Sequence, residues 1–339
     1  MNMIYPDLTI SRPLPKNVKE TEIVFFDRLL VREIDHPEII NIRNCYVFDK
    51  GAVFKNFSPI KKLLHQNDDT YFRTHTRKDL LKSLLLKRVE RLSKNETYLL
   101  ITNLYSSSYY HWLIEAMPRL FLLKDFLHSS VVLLPQNCTL GFHNDLLEIF
   151  ATGSPKIMQP QIAYNITNLI SPTEIGKMAN SHPLVLKDSV AFVKNKVALT
   201  FSMGAKIYVS RRRAVKRKVY NESDITDYLK TQGFAILCLE DFNFIEQVSI
   251  MHHCKYLVGL HGAGLSNLIF MNKGASLFEL RKHDKGENYF FFSLSSAMDI
   301  NYYYQFCTGL SERETVQDDD VVVSLEEFKR NICQMLKVE

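Results

Sequence analysis

The spacing of hydrophobic positions changes along the chain. Between residues 22 and 56, short apolar runs alternate with polar ones: Glu22–Phe26, Arg28–Ile34, Ile39–Phe48 and Ala52–Phe54. Asp35-His36-Pro37 and Asp49-Lys50-Gly51 separate them, which predicts a β meander. Over residues 77–94 apolar side chains recur every three or four positions among lysines and arginines, the pattern of a basic amphipathic helix. Such a helix can face a membrane or pack on a sheet, and packing on a sheet is the expectation. From residue 97 strands and helices alternate. Thr97–Thr102 reads as a strand and Ser107–Phe126 as a helix kinked at Pro118. Val131–Leu134 is a strand, His143–Phe150 a helix, and Lys156–Met158 and Ile162–Ile170 are strands. This order predicts a largely parallel sheet covered by helices.

Ser171-Pro172 and His182-Pro183 interrupt the pattern, and a helix over Leu184–Leu199 follows. The alternation then resumes more clearly. Strands are expected at Lys206–Ser210, Phe234–Leu239, Tyr256–Leu260, Ala275–Leu280 and Ile300–Phe306. Helices are expected at Ser223–Thr231, Asn243–His252, Leu265–Met271 and Tyr289–Met298, with Asn221 and Asn243 as N-caps. This is the pattern of a doubly wound α/β domain. The expected division is therefore 1–183, 184–324 and a final amphipathic helix within 325–339.

Composition adds little to the fold but narrows the setting. The 339 residues are 46% hydrophobic and 23% charged, enough for two cores. A net charge of +5 suits anionic ligands or a membrane surface without requiring either. The six cysteines are scattered, with no Cys-x-x-Cys pair, which points to buried thiols in a reducing compartment. The N-terminus has no signal-peptide pattern, and no apolar run approaches the ~20 residues of a membrane span.

Candidate chemistry gathers where the second set of strands ends. Tyr256–Leu260 runs into His261-Gly262-Ala263-Gly264 and then into a helix that contains Asn267. Glycines there let the chain turn sharply, and the N–H groups of a helix start suit a phosphate. The strand before residue 210 ends in Ser210-Arg211, the next in Glu240-Asp241, and the one after the glycine turn in Glu279-Leu280-Arg281. In doubly wound sheets ligands bind at this edge. A nucleotide diphosphate matches the set: Arg211 and Arg217 for phosphate, backbone N–H groups at Gly262–Gly264, and a carboxylate such as Glu279 for ribose hydroxyls. The basic run Ser210–Lys218 lacks interleaved aromatics, so phosphate binding is preferred to nucleic-acid binding.

In the first half, His111 and Glu115 lie four residues apart on one helix face, and either can serve as a general base. A structural His–Glu contact is the competing account. There is no Walker loop and no Gly-x-Gly-x-x-Gly fingerprint. The acidic run Asp318-Asp319-Asp320 reads as solvated and remote from the proposed rim, so no metal and no cofactor are expected.

The series His111-Trp112-Leu113-Ile114-Glu115-Ala116-Met117-Pro118-Arg119, Tyr208-Val209-Ser210-Arg211, Asn221-Glu222, Glu240-Asp241, Glu246-Gln247, Gly259 to Asn267 and Phe278-Glu279-Leu280 resembles glycosyltransferase family 61 over roughly residues 95–285. The resemblance implies a GT-B-like fold, two Rossmann-like domains facing across a cleft, here preceded by the β meander. It implies inverting transfer from a nucleotide sugar, usually UDP-linked, to a glycan or lipid-linked glycan hydroxyl. His111 or Glu115 would be the base. Arg211, Arg217, His261 and Gly262-Ala263-Gly264 would hold the diphosphate, with Glu240 on the same rim and Asn267 and Glu279 orienting the nucleotide. Because eukaryotic members carry a secretory signal or anchor, the expectation is a bacterial cytoplasmic enzyme of capsule or other surface-polysaccharide synthesis. Peripheral contact with the inner membrane face is allowed, and no nucleic-acid partner is expected. The alternatives are an NAD-dependent oxidoreductase or epimerase, and a non-catalytic basic glycan- or nucleic-acid-binding protein.

Overall fold

A computed structural model describes residues 5–63, 77–177, 180–282, 289–311 and 319–337. The chain forms two units: Met1–Leu8 with Ile34–Lys196, and Thr9–Glu33 with Val197–Glu339. Strand β1 (Leu8–Ser11) pairs with β2 (Val31–Ile34). Between them the expected first meander strand is instead a 3₁₀ turn, Glu20–Phe25, followed by a helical turn, Asp27–Leu30. Aromatic packing explains the difference. In a helical turn Glu22 and Phe26 share a face while Val24 points away, and Val24 is 65% exposed. Phe26 is buried against Tyr289, Phe292 and Tyr304, with ring centroids 5.0–5.2 Å away. The Tyr304 hydroxyl donates to Glu22 Oε2 at 2.5 Å.

In the first unit, β3 (Ile39–Val47), β4 (Val53–Lys55) and β5 (Ser58–Pro59) form the remaining meander. The basic helix covers Arg77–Leu85 only. Lys87, at φ 56°, ends it, and the rest of the predicted helix becomes β6 (Val89–Arg91). Strands β7 (Thr97–Leu100), β8 (Ser130–Pro135), β9 (Lys156–Met158) and β10 (Ala163–Pro172) complete a sheet ordered β5-β4-β3-β10-β7-β8-β9, with β6 beside β10. Strand β10 runs parallel to β7 and antiparallel to β3, so the sheet is mixed. Ile42, Val47, Leu100, Leu133 and Ile166 fill its core. A short ribbon follows, β11 (Gly176–Lys177) with β12 (Asn180–Ser181). The helix Pro183–Lys196 closes this unit, Phe192 stacking on Phe150 at 4.6 Å.

In the second unit, β13 (Lys206–Val209), β14 (Ala235–Leu237), β15 (Tyr256–Leu260), β16 (Ser276–Lys282) and β17 (Asn301–Gly309) form a parallel sheet. Strand β18 (Val321–Val322) adds antiparallel at its edge. The order β14-β13-β15-β16-β17 places the first strand, β13, between its next two successors, β14 and β15, on opposite sides. The sheet's direction of winding therefore reverses between β13 and β15. Asn243 caps Phe244–His253 with a reciprocal Glu246 bond, as expected. Asn221 does not cap: its side chain bonds Val323 N and O at 3.0 and 2.9 Å, tying the C-terminal segment down. The final helix, Leu325–Leu336, buries Phe328, Ile332 and Met335 against Tyr208, Val258 and Phe278.

Candidate functional site

Two constellations take shape, one in each unit. In the second, the reversal point between β13 and β15 carries Arg211 after one strand and His261-Gly262-Ala263-Gly264 after the other. Open sheets bind ligands at such a point because the loops diverge and leave a crevice. Arg211 Nε donates to Arg217 O at 2.8 Å and Nη2 to Lys216 O at 3.3 Å. Main-chain carbonyls fix the guanidinium without cancelling its charge. Burial, then the neighbouring Arg217, pushes the Arg211 pKa below its ordinary range, with Glu240 acting in the opposite sense. Arg217 itself, in a left-handed conformation at φ 58°, reaches His261 O at 3.5 Å. Two clustered cations at a glycine turn form an electrostatic setting for an anion.

Gly262 is extended, a conformation open to any residue, but a Cβ there would lie 2.3 Å from Arg211 Nη1. The missing side chain is the space in which the guanidinium rests. The turn continues into a 3₁₀ helix, Ala263–Phe270, where an α-helical start was expected. Asn267 is fully buried, donating to Gln247 Oε1 at 3.1 Å and Gly264 O at 3.2 Å. Gln247 in turn holds Leu239 O and Phe242 O, both at 3.0 Å. Asn267 thus locks the turn from behind. Glu240 is exposed on the short turn Leu239–Asp241, and its neighbour Asp241 pairs with Arg213.

Glu279 is also set back. It has no exposed surface, and its oxygens take His261 Nδ1 and the Tyr302 hydroxyl, each at 2.5 Å. Burial alone would raise its pKa. The charge and hydrogen bond of His261, with Arg281 and Tyr302, outweigh burial and hold it below the ordinary value. An ionised carboxylate only accepts, so His261 Nδ1 carries the proton and its orientation is fixed. The position expected to meet ribose hydroxyls therefore braces the histidine. Tyr302 was not singled out in the sequence, and Arg281, named there only as part of a strand end, stacks on Tyr289 at 4.2 Å.

In the first unit, His111 Nδ1 lies 2.8 Å from Glu115 Oε1, so the expected i, i+4 pair forms. Asn103, also missed, donates Nδ2 to Glu115 Oε2 at 2.6 Å. Its own carbonyl accepts from Tyr105 N and Ser106 Oγ, which orients the amide. Asn103 lies just beyond β7, a strand carboxyl end that the strand pattern alone could have flagged. Gly51, at φ +83°, lets the neighbouring chain pass under this loop, because a Cβ would meet Thr102 O at 2.4 Å. Glu115 lies within a π-helical turn, Trp112–Ala116, between helical segments Tyr109–His111 and Met117–Leu122. Pro118 opens the last segment, where its missing N–H is tolerated, so the kink expected at Pro118 is replaced by this wide turn. Tyr105 stacks on His111 at 5.0 Å. The pair remains partly open to solvent, with side-chain exposures of 26% and 20%. A carboxylate held on one oxygen by an amide and on the other by a histidine can accept a proton.

The acidic run is less solvated than expected. Asp319 is buried and pairs with Lys282 Nζ at 2.5 Å, and Asp320 accepts from Lys218 N at 2.7 Å. Asp318 lies outside the described residues. Among the described residues, no group of three or more His, Cys, Asp or Glu is placed to hold a metal, and no helix is long and apolar enough to cross a membrane. All six cysteines are unpaired, five buried and Cys333 exposed.

Comparison with known proteins finds similarity over part of the chain. Part of the chain is similar to EGF domain-specific O-linked N-acetylglucosamine transferases. It is 29% identical to the Bos taurus protein over 106 residues, 29% of this chain and 20% of that protein. It is 30% and 31% identical to those of Canis lupus familiaris and Gallus gallus over 80 residues, 22% of this chain and 15% of each. These matches cover a fifth or less of each relative's length. Residues 109–278 match Glycosyltransferase 61, a region that opens two residues before His111, takes in Arg211 and the glycine turn, and ends beside Glu279. That match spans half of the chain, whose mixed α/β architecture is consistent with an α/β glycosyltransferase fold, and the chain belongs to the glycosyltransferase 61 family.

Proposed function

We propose that the enzyme moves a sugar from a nucleotide diphosphate donor, UDP-linked, to a hydroxyl of a glycan or lipid-linked glycan, with inversion and without a metal ion. The observation that carries this is the Arg211–Arg217 pair set against the Gly262–Gly264 turn where the sheet reverses. Fixed cations and N–H groups there favour a departing diphosphate over the bound donor, because charge grows on it as the bond breaks. One displacement suffices. Glu115, oriented by Asn103 and His111, takes the proton of the acceptor hydroxyl as its oxygen bonds to the anomeric carbon. The bond from that carbon to the phosphate oxygen breaks, and its electron pair leaves on the diphosphate. Arg211, Arg217 and His261 meet that charge, while Glu279 positions His261 and Asn267 the glycine turn from behind. The GT-B-like layout, a surface-polysaccharide acceptor and a cytoplasmic setting belong to the same proposal. The named relatives' EGF-domain acceptor belongs in any acceptor screen.

The test is a thermal-shift and hydrolysis screen across nucleotide sugars, with NAD as control and a chelator present. UDP-sugars should stabilise and turn over; stabilisation by NAD alone would end the proposal. Glu115→Gln should lose at least about a hundredfold in turnover with donor-induced stabilisation intact. Normal turnover by that variant removes Glu115 as the base.

A further inference from the structure

We infer that the helix Arg77–Leu85 and the turn after it form a docking face for an anionic lipid bilayer. The helix uses Leu80 and Ser83 to pack inward, beside a small core that includes Phe48, Phe54 and Ala163. Leucines remain on the outside: Leu81 is 48% exposed, Leu85 83% and Leu86 52%. Leu81 and Leu85 are four residues apart, so they share one helix face, and Leu86 follows directly. A soluble surface tolerates scattered leucines, but three within six residues form a local apolar patch. Cations border it, for Lys78, Lys82, Lys87 and Arg88 are all exposed. Asp79 is the one acidic residue between 77 and 89.

Beside this face lies a cavity of about 340 Å³, and Lys82 and Leu86 belong to both. Lys50, Arg88, Asp49 and Asp79 also line it. It is thus a recess of mixed lining with a net positive rim, next to the leucines. Leucines that enter the acyl boundary while lysines stay at phosphate level are the arrangement of an interfacial helix. Charge complementarity selects the occupant: a zwitterionic or neutral surface offers the cations no partner, whereas an anionic leaflet does.

The test needs no transfer assay, so its result is independent of the proposed reaction. The full chain is sedimented with vesicles of phosphatidylcholine alone or with about one third phosphatidylglycerol. Binding should require phosphatidylglycerol and weaken as salt rises from about 0.05 to 0.5 M. The triple variant Leu81→Ser, Leu85→Ser, Leu86→Ser should lose at least about tenfold in vesicle affinity. Lys82→Ala should lose about fivefold. Because the replaced side chains are exposed, the melting temperature should not fall. The inference is overturned if the wild type ignores phosphatidylglycerol or if the triple variant binds as well as wild type. It is equally overturned if Arg212→Glu with Arg213→Glu abolishes binding, which would place contact on the other basic run. A concentration-dependent dimer that the triple variant dissolves would make a second copy the occupant.

Discussion

At Gly262 the deciding quantity is a distance rather than a backbone angle. Alanine can adopt the extended conformation there, so its only obstacle is the guanidinium of Arg211, 2.3 Å from the new Cβ. A flexible side chain yields at little cost to folding. Gly262→Ala should therefore melt near the wild-type temperature yet bind the donor about tenfold more weakly, as read by isothermal titration. Unchanged affinity would detach Arg211 from the donor. His143 offers a second residue-scale expectation. It is buried, its Nδ1 accepts from Leu140 N at 3.1 Å, and its Nε2–H donates to Ser106 O at 3.2 Å. Burial lowers its pKa from 6.5 to about 4, against the pull of those bonds. The folded protein thus binds this proton less readily than the unfolded chain. The contribution is complete above about 6.5 and drains away as pH falls toward 4. Between pH 7 and pH 5 that amounts to about 2 kcal/mol, and His143→Asn should flatten this part of the denaturation profile. The buried histidine also braces the carbonyl of Ser106, whose hydroxyl meets the Asn103 that holds Glu115. An i, i+4 spacing shows that His111 and Glu115 can meet. The partner across the loop is a matter of tertiary placement, which spacing does not encode.

At the scale of elements, the second unit was largely legible and the start of the chain was not. Strands buried on both faces read as apolar runs, and their carboxyl ends could be compared directly. That comparison located Arg211 and the glycine turn. It misplaced Glu279, because whether a strand residue faces a ligand or a neighbouring strand's tyrosine depends on its depth in the sheet. Glu22–Phe26 reads as a strand yet coils, since burying Phe26 among three rings outweighs a weak local preference. The hairpin from β4 to β5 has a two-residue turn, Asn56-Phe57, with both residues at positive φ, 49° and 59°. This is the conformation that Asn-Gly fills best, and phenylalanine is strained in it. Phe57 is half exposed and loses little packing on replacement. Phe57→Gly should stabilise the protein by about 1 kcal/mol in urea denaturation, and destabilisation would mean that its ring has a partner.

At the scale of the molecule, thiol reactivity offers a direct check. Burial pushes Cys45, Cys138, Cys254 and Cys307 up to about 12, and Cys238 is buried as well. A thiol reagent should modify one cysteine rapidly in the native protein, Cys333, and none in Cys333→Ser. Rapid reaction at more than one would mean that a unit opens. The path of the chain has a further consequence, for biosynthesis. Residues 9–33 belong to the second unit although the chain from 34 to 196 builds the first. Asn17 bonds the main chain of Tyr304 across 287 positions, and Phe26 packs on the same tyrosine. On the ribosome this segment emerges before residues 34–196 and waits for its partners, holding an uncovered phenylalanine while the first unit forms. A fragment that starts at Val197 would never receive it, and the aromatic surface of β17 would meet solvent or another chain instead.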